Sequence, residues 1–565
     1  MRRVFLFSLI VLSQAAAVVA PPTTERTAGP PAGERRGVAA PAPAERRAVV
    51  FYTGAVQGTL EPCGCTSDPL GDIARMTGLV RRAQRESRAV LLVDAGNLSY
   101  PTTELPARRR EAADLHADFL ARELAKLPFA GAALGEADLA RGPDKVQPMR
   151  LAANLTGVPF VDQARVRVLG GIRLGVFGLA DPEAARARGL KVEDPVVAAQ
   201  REAQKLRAAG AEVVVALAPL PRPLARQIAR GASVDFVVLG KDVGDGLPRA
   251  ERVGSAYLVA PAVELQKVGR LEIVLRQGAQ RPLVDAGGPE AARLRREELD
   301  RLIADLDAQL GAWEKDRTAD SRFVAGKHGE REALAAEREL LGTAPWKAPA
   351  VGSYFTNELI PLRRALPRDP ALAASMRALD RAVGAANLRG KQPPPKAGPE
   401  RASFVGDHTC AGCHKEEMKF WRTTVHARAW KTLVDGGKQA HDDCVSCHVT
   451  GYGEVGGSSL GYTRRLEDVQ CETCHGPGSV HVAEEGLEAP PAVRLQTPES
   501  TCIRCHNEKH SDTFQYAAYM RDILGPGHAE KTRTGLGPGP TGRDLRRAAL
   551  ARAKIAGQAL KKAMD

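Results

Sequence analysis

Val469-Gln470-Cys471-Glu472-Thr473-Cys474-His475-Gly476-Pro477-Gly478 contains a Cys-x-x-Cys-His unit. The same unit recurs as Cys410-Ala411-Gly412-Cys413-His414, Cys444-Val445-Ser446-Cys447-His448 and Cys502-Ile503-Arg504-Cys505-His506. Two thiols two residues apart can each add to a vinyl group of one haem, and the adjacent His then lies under the ring to bind the iron. A single unit could equally be a zinc site or a redox pair. Zinc ribbons, however, do not require His after each Cys pair, and disulfides do not explain it either. Four units therefore predict four covalent c-type haems, attached through Cys410, Cys413, Cys444, Cys447, Cys471, Cys474, Cys502 and Cys505. His414, His448, His475 and His506 are the expected proximal ligands. Four porphyrins would also supply apolar surface to a segment that has few large apolar side chains of its own.

The rare residues are concentrated here: eight of ten Cys fall between Cys410 and Cys505, and ten of twelve His between His408 and His528. Besides the proximal residues, the segment offers His408, His426, His441, His481, His510 and His528, with Met418 and Met520 as its thioethers. Met418 follows His414 too closely to cross to that haem's other face. Mostly bis-His ligation is expected, rather than His/Met ligation with its raised potential. His408 and His441 lie close to haem-binding Cys residues and His510 close to His506, so these three are expected beside a haem or in solvent. That leaves His426, His481 and His528 as the freer distal candidates.

The order of these residues resembles the cytochrome c554 and c-prime family of tetrahaem cytochromes, over about residues 404–530. The resemblance rests on Trp421, Val425-His426-Ala427-Arg428-Ala429-Trp430, Cys447-His448-Val449-Thr450-Gly451-Tyr452-Gly453, and the stretch from Val469 to Gly478 with His481. It implies His426 and His481 as distal ligands, His528 or else His510 as a third, and an iron at His448 with no protein ligand on its distal face. It also implies electron exchange with a redox partner protein, and leaves room for a small-molecule ligand at the open iron.

The chain of 565 residues is long enough for three or four folded units, at roughly one per 150 residues. Its net charge of +13 is spread along the chain and its aromatic content is 4%, which argues against nucleic acid as a partner. Met1-Arg2-Arg3, the apolar run from Val4 to Leu12 and the small residues up to Ala20 have the order of a secretory signal peptide. Residues 1–20 are thus expected to direct export to a periplasmic or otherwise extracytoplasmic location. No membrane span is expected in the mature chain.

Residues 21–46 read as a flexible leader. Over 47–282, apolar runs at 49–52, 90–93, 174–177, 213–215 and 236–239 alternate with helical stretches, predicting an α/β layered domain. Leu294, Leu299, Leu302, Leu306 and Leu310 at helical spacing mark a charged helical linker over 283–390. A Pro-rich linker at 391–403, the haem domain at 404–530 and a basic, partly helical tail at 531–565 complete the chain. The expected fold class is multidomain, with an α/β N-terminal part and a mainly α, irregular tetrahaem part.

Thr53-Gly54-Ala55-Val56-Gln57-Gly58, Val93-Asp94-Ala95-Gly96-Asn97 and Leu134-Gly135-Glu136-Ala137-Asp138-Leu139 resemble motifs of the calcineurin-like metallophosphoesterases, in the branch holding periplasmic 5′-nucleotidases. The resemblance implies a two-metal site at Ala55, Gln57, Asn97, Glu136, Pro219, Lys241 and Val243, and none of these keeps the expected ligand type. Residues 47–400 hold only His116 and His328, too few imidazoles for such a site. Cys63 and Cys65, flanking Gly64, are expected to be structural thiols in a tight turn, with a redox-active or haem-adjacent pair as the alternative. The reading is an exported multihaem electron carrier with an inactive phosphoesterase-like domain for docking. Its rivals are a haem enzyme acting on a small nitrogen or sulfur compound and an active metal-dependent phosphoesterase or nucleotidase.

Overall fold

The computed structural model describes residues 45–564, apart from 63, 277–282, 288, 315–320, 344–351, 399–400 and 487–491. The signal peptide and nearly all of the leader lie outside the described residues. Two sheets organise the N-terminal half. One has eight strands in the order Val284–Asp285, Tyr354–Pro361, Lys267–Arg276, Glu45–Thr53, Val90–Asp94, Phe129–Ala133, Arg150–Leu151, Val161–Asp162. The other has six: Glu251–Val253, Ala256–Val259, Phe236–Leu239, Val213–Ala218, Ile172–Gly178, Ala164–Leu169.

The period-two alternation of strand Glu45–Thr53 sets the layering. Ala48, Val50 and Tyr52 share a core with Leu174, Val176, Val213 and Val215 of the six-stranded sheet. Val49 and Phe51 point the other way and pack with residues of helices Ile73–Glu86, Arg110–Leu124 and Pro370–Arg389. Helices Pro195–Ala208 and Arg222–Gly231 cover the far face of the six-stranded sheet. The result is helix, sheet, sheet, helix. Three helices begin with Asp-Pro: the carboxylates of Asp181, Asp194 and Asp369 each accept a first-turn amide while Pro presets the helical φ.

The stretch 283–390, read as a helical linker, also contributes to the larger sheet. Its long helices Pro289–Trp313 and Ser321–Thr343 pack against one another, burying Leu299 and Leu341, while Leu302 stays exposed. Strand Tyr354–Pro361, however, pairs antiparallel with Lys267–Arg276 along its whole length. Its alternation is β-like and short, which the helical signal on both sides obscures.

The haem segment is mainly short helices and turns, with a small core of Leu433, Val445, Val449 and Leu460. It is held on the layered domain along a broad seam. Arg109 meets Asp442 at 2.7 Å and Asp443 at 2.9 Å; Lys438 meets Glu61 at 2.9 Å; Lys509 meets Glu264 at 2.6 Å. The Pro-rich stretch lies along the haem segment, with Gly456 N donating to Pro395 O at 2.7 Å. The C-terminal helix Gly542–Met564 returns to the layers: Arg82 donates to Met564 O at 2.6 Å, and Arg546 to Thr66 O at 2.8 Å. Among the described residues, no helix is long and apolar enough to cross a membrane.

Candidate functional site

The four Cys-x-x-Cys-His units are brought together by side chains of the surrounding motif. Glu472, in the third unit, is buried; its carboxylate accepts from Val405 N at 3.0 Å, Gly406 N at 2.8 Å and Gly478 N at 2.8 Å. One side chain thereby ties the approach to the first unit to the turn after the third. Trp421 Nε1 donates to Val469 O at 3.0 Å, and Asp468 accepts from Trp430 N at 2.7 Å. Cys410 lies beside Cys471, and Cys447 beside Cys505, each close enough to perturb the other's thiol. The first unit thus neighbours the third, and the second neighbours the fourth.

Three of the expected proximal histidines are oriented through Nδ1. His448 Nδ1 lies 2.6 Å from Ala429 O, His475 Nδ1 lies 2.8 Å from Arg494 O, and His506 Nδ1 lies 3.1 Å from Ser511 Oγ. A backbone carbonyl accepts from N–H, so Nδ1 of His448 and His475 carries the proton and Nε2 presents its lone pair to a metal.

Two proximal rings face distant histidines. The ring centres of His414 and His481 are 6.4 Å apart at an interplanar angle of 30°, and those of His426 and His506 are 6.2 Å apart at 44°. An iron bound by one nitrogen of each ring at about 2 Å separates ring centres by roughly 6 Å, so both pairs fit bis-His ligation. His528 lies within electrostatic reach of His475, and its buried Nδ1 has no hydrogen-bond partner among the described residues. Among the described residues, no ring contact joins His448 to another imidazole. Burial, with His506 beside it, pushes His426 down to about 4, keeping it the neutral ligand form at ordinary pH.

Apolar side chains beside the units also fit a porphyrin. Val425 is 64% exposed, Leu495 86% and Ile503 48%, next to His426, Arg494 and Cys502 respectively. Haem faces would remove such surface from water. Met418 and Met520 are buried in packing, His408 is exposed, and His510 lies close enough to Cys447 to act on its thiol.

The second candidate is a cleft of about 440 Å³ in the layered domain. Ala55, Gln57, Asn97, Glu136, Lys241 and Val243 all line it, so the structure assembles the positions the sequence singled out. Pro219 packs against Gly96 nearby. Lys241 Nζ sits between Glu136 Oε2 at 3.0 Å and Asp181 Oδ2 at 3.1 Å. Burial works against the ammonium, but the hydrogen bonds to Glu136 and Asp181 hold its pKa above the ordinary lysine value. Asn97 is committed to backbone, donating to Gly240 O at 3.0 Å and accepting from Ala137 N at 2.9 Å. Gly240 is required there, because a Cβ would stand 1.9 Å from Ala95 O.

Behind the cleft, Asp138 accepts from the amides of Asn97, Leu98, Ser99 and Gly135 at 2.8–2.9 Å and pairs with Arg150 at 3.1 Å. The sequence reading did not single out this pair; an Asp just beyond a strand with a partner Arg on the next strand was its only signal. Among the described residues, no group of three or more His, Cys, Asp or Glu side chains converges to hold a metal ion. Cys63 lies outside the described residues, and Cys65 is exposed.

Residues 409–476 match the family model of cytochrome c554 and c-prime. Cytochrome c-554 of Nitrosomonas europaea is 38% identical over 93 residues, which are 14% of this chain and 40% of that protein. The chain thus spans less than half the length of this curated relative. The solved reduced cytochrome c554 of the same organism aligns with 24% of this chain and 79% of its own at 23% identity, with a TM-score of 0.16. The 5′-nucleotidase precursor of Thermus thermophilus aligns with 70% of this chain and 68% of its own at 17% identity, with a TM-score of 0.40.

Proposed function

We propose that the protein is an exported electron carrier holding four covalent c-type haems, with the layered domain serving as a non-hydrolytic docking body. The observation that carries this is the facing of His414 with His481 and of His426 with His506 at 6.4 and 6.2 Å, each pair joining a proximal His to one far away in sequence. Bound haem supplies one-electron redox chemistry at iron. The chain supplies the rest: eight thiols for attachment, proximal imidazoles held by Nδ1 contacts, and His426, His481 and His528 as distal ligands. Export through residues 1–20 places attachment and function in the periplasm or a similar compartment.

In the cleft, Lys241 puts an ammonium between the carboxylates that would otherwise draw a metal, and Asn97 spends its amide on backbone. Both support the loss of hydrolysis. The test is expression in a host with a haem-attachment system, followed by pyridine haemochrome and electron paramagnetic resonance. About four haems per chain, mostly low-spin, are expected; zinc in place of haem overturns the reading.

A second reading, small-molecule binding or turnover at the iron of His448, is favoured by the lack of a facing imidazole there among the described residues. An exchangeable ligand on that iron separates it from pure electron transfer.

A further inference from the structure

We propose that the seam between the layered domain and the haem segment takes up a proton when the haem attached at Cys444 and Cys447 is reduced, with His441 as acceptor and Asp380 as its counter-ion. The proposal rests on the haem reading above. It gives the layered domain a chemical task in addition to docking.

His441 is coupled directly to the haem-binding helix, because Cys444 N and Val445 N both donate to its carbonyl at 3.0 Å. Its side chain turns toward the layered domain. Nε2 is buried, has no hydrogen-bond partner among the described residues, and stands 3.8 Å from Asp380 Oδ1 on helix Pro370–Arg389. A buried imidazole nitrogen without a partner is costly. Protonation would make it a donor to a carboxylate already in place, forming a charge-assisted bond.

The surrounding charges are otherwise paired. Lys438 Nζ bridges Asp380 at 2.6 Å and Glu61 at 2.9 Å, and Glu61 also meets Arg368 at 3.2 Å. Arg109 meets Asp442 and Asp443, and Arg108 meets Asp442 at 3.3 Å. His116, on helix Arg110–Leu124, also lies within electrostatic reach of His441. With both imidazoles neutral the cluster is near balance, so an electron added at the neighbouring haem leaves an uncompensated negative charge. In a low-dielectric seam, one bound proton relieves it.

Of the two imidazoles, His441 is the acceptor. Burial and the nearby His441 push His116 down to about 4, whereas His441 is lowered by burial and Lys438 but has the counter-ion at hand. The step would balance: with haem bound, one electron taken from a donor protein would be matched by one proton moving from solvent to His441 Nε2. Oxidation reverses both.

The test is a redox titration of the full-length holoprotein at several pH values, with dithionite as reductant, on wild type, His441→Gln and Asp380→Asn. Haem on the Cys444–Cys447 peptide is verified in each. Wild type should show one haem whose potential falls as pH rises, with close to one proton taken up on its reduction, read by an indicator dye. His441→Gln should flatten that profile with the absorption spectrum unchanged, and Asp380→Asn should move it to lower pH. A flat wild-type profile, or one that His441→Gln leaves intact, overturns the proposal. Absence of haem on the Cys444–Cys447 peptide overturns the haem reading, and this proposal with it.

Discussion

The imidazole rings of His426 and His506 stand 6.2 Å apart, centre to centre, although they belong to opposite ends of the haem segment. Each is fixed by its own contacts: Val469 N donates to His426 O at 3.2 Å, and His506 stacks on Phe514 with ring centres 5.2 Å apart. The pairing assigns a distal ligand to a particular haem. On the proposed haem reading, His426 would serve the fourth unit and His481 the first.

Replacing His426 with Ala should therefore convert the haem bound by His506, and that one alone, from low-spin to high-spin. His481→Ala should do the same at His414. In each variant one of the three haems expected to be low-spin, and so about one third of the low-spin electron paramagnetic resonance signal, should be lost, with all haem still covalently attached. Identical losses at the same haem in both variants would contradict the assignment.

How much of this was legible in the sequence follows from the range of each interaction. Cys-x-x-Cys-His is local, so the candidate thiols and proximal ligands can be read directly. Distal pairing depends on where Glu472, Trp421 and Asp468 fold the chain, and spacing carries no trace of it. In the layered domain the buried runs at Val90–Asp94 and Val213–Ala218 were plain, because parallel strands covered on both faces are continuously apolar. Tyr354–Pro361 escaped, since an eight-residue strand between helices has little local signal. The residue types at the cleft are readable in the sequence, but the Lys241 bridge to Glu136 and Asp181 needs three loops in contact.

Asp138→Asn should destabilise the layered domain strongly. Both Asp138 and Arg150 are almost fully buried, and the carboxylate also collects four backbone amides. The amide would leave the guanidinium without its counter-charge and set an NH₂ against N–H donors. A loss of about 3–5 kcal/mol is expected, read as a lower urea midpoint. A change below about 1 kcal/mol would contradict the buried-pair account.

Lys241→Met should cost less and gain no activity. Glu136 is half-exposed and Asp181 buried, so removing the ammonium exposes one buried carboxylate to an unpaired environment. About 1–3 kcal/mol is expected. Neither wild type nor variant should hydrolyse nucleotides or a chromogenic phosphate ester with added manganese. Metal-dependent turnover by the wild type would return the cleft to the hydrolases.

Asp94 gives a pH signature. Burial raises its carboxyl to about 7, against hydrogen bonds from Thr53 at 2.7 Å and Gly96 N at 2.8 Å. The folded state holds the proton more tightly than the unfolded chain, whose value is about 3.9. Its contribution to stability is full below about pH 4 and lost as pH rises through about 7. Wild type should therefore lose stability relative to Asp94→Asn across that window, measured by urea midpoints at each pH. A pH-independent difference would show that Asp94 does not titrate there.

The iron at His448 provides the last expectation. Its proximal ring is held by Ala429 O, and Thr432 Oγ1 lies 3.2 Å from the same Nδ1, so its orientation is as firm as that of His475 or His506. No facing imidazole is in ring contact with it among the described residues. His510 lies close enough to Cys447, in the same unit as His448, to act on its thiol. If His510 stays there, the distal position is open, and carbon monoxide added to the reduced protein should shift about one quarter of the Soret absorbance, one haem of the four expected. His510→Ala should then leave the size of that shift unchanged. If wild type is unreactive and His510→Ala becomes reactive, His510 is the fourth distal ligand; every iron is then six-coordinate, and small-molecule chemistry at His448 is ruled out in favour of electron transfer alone.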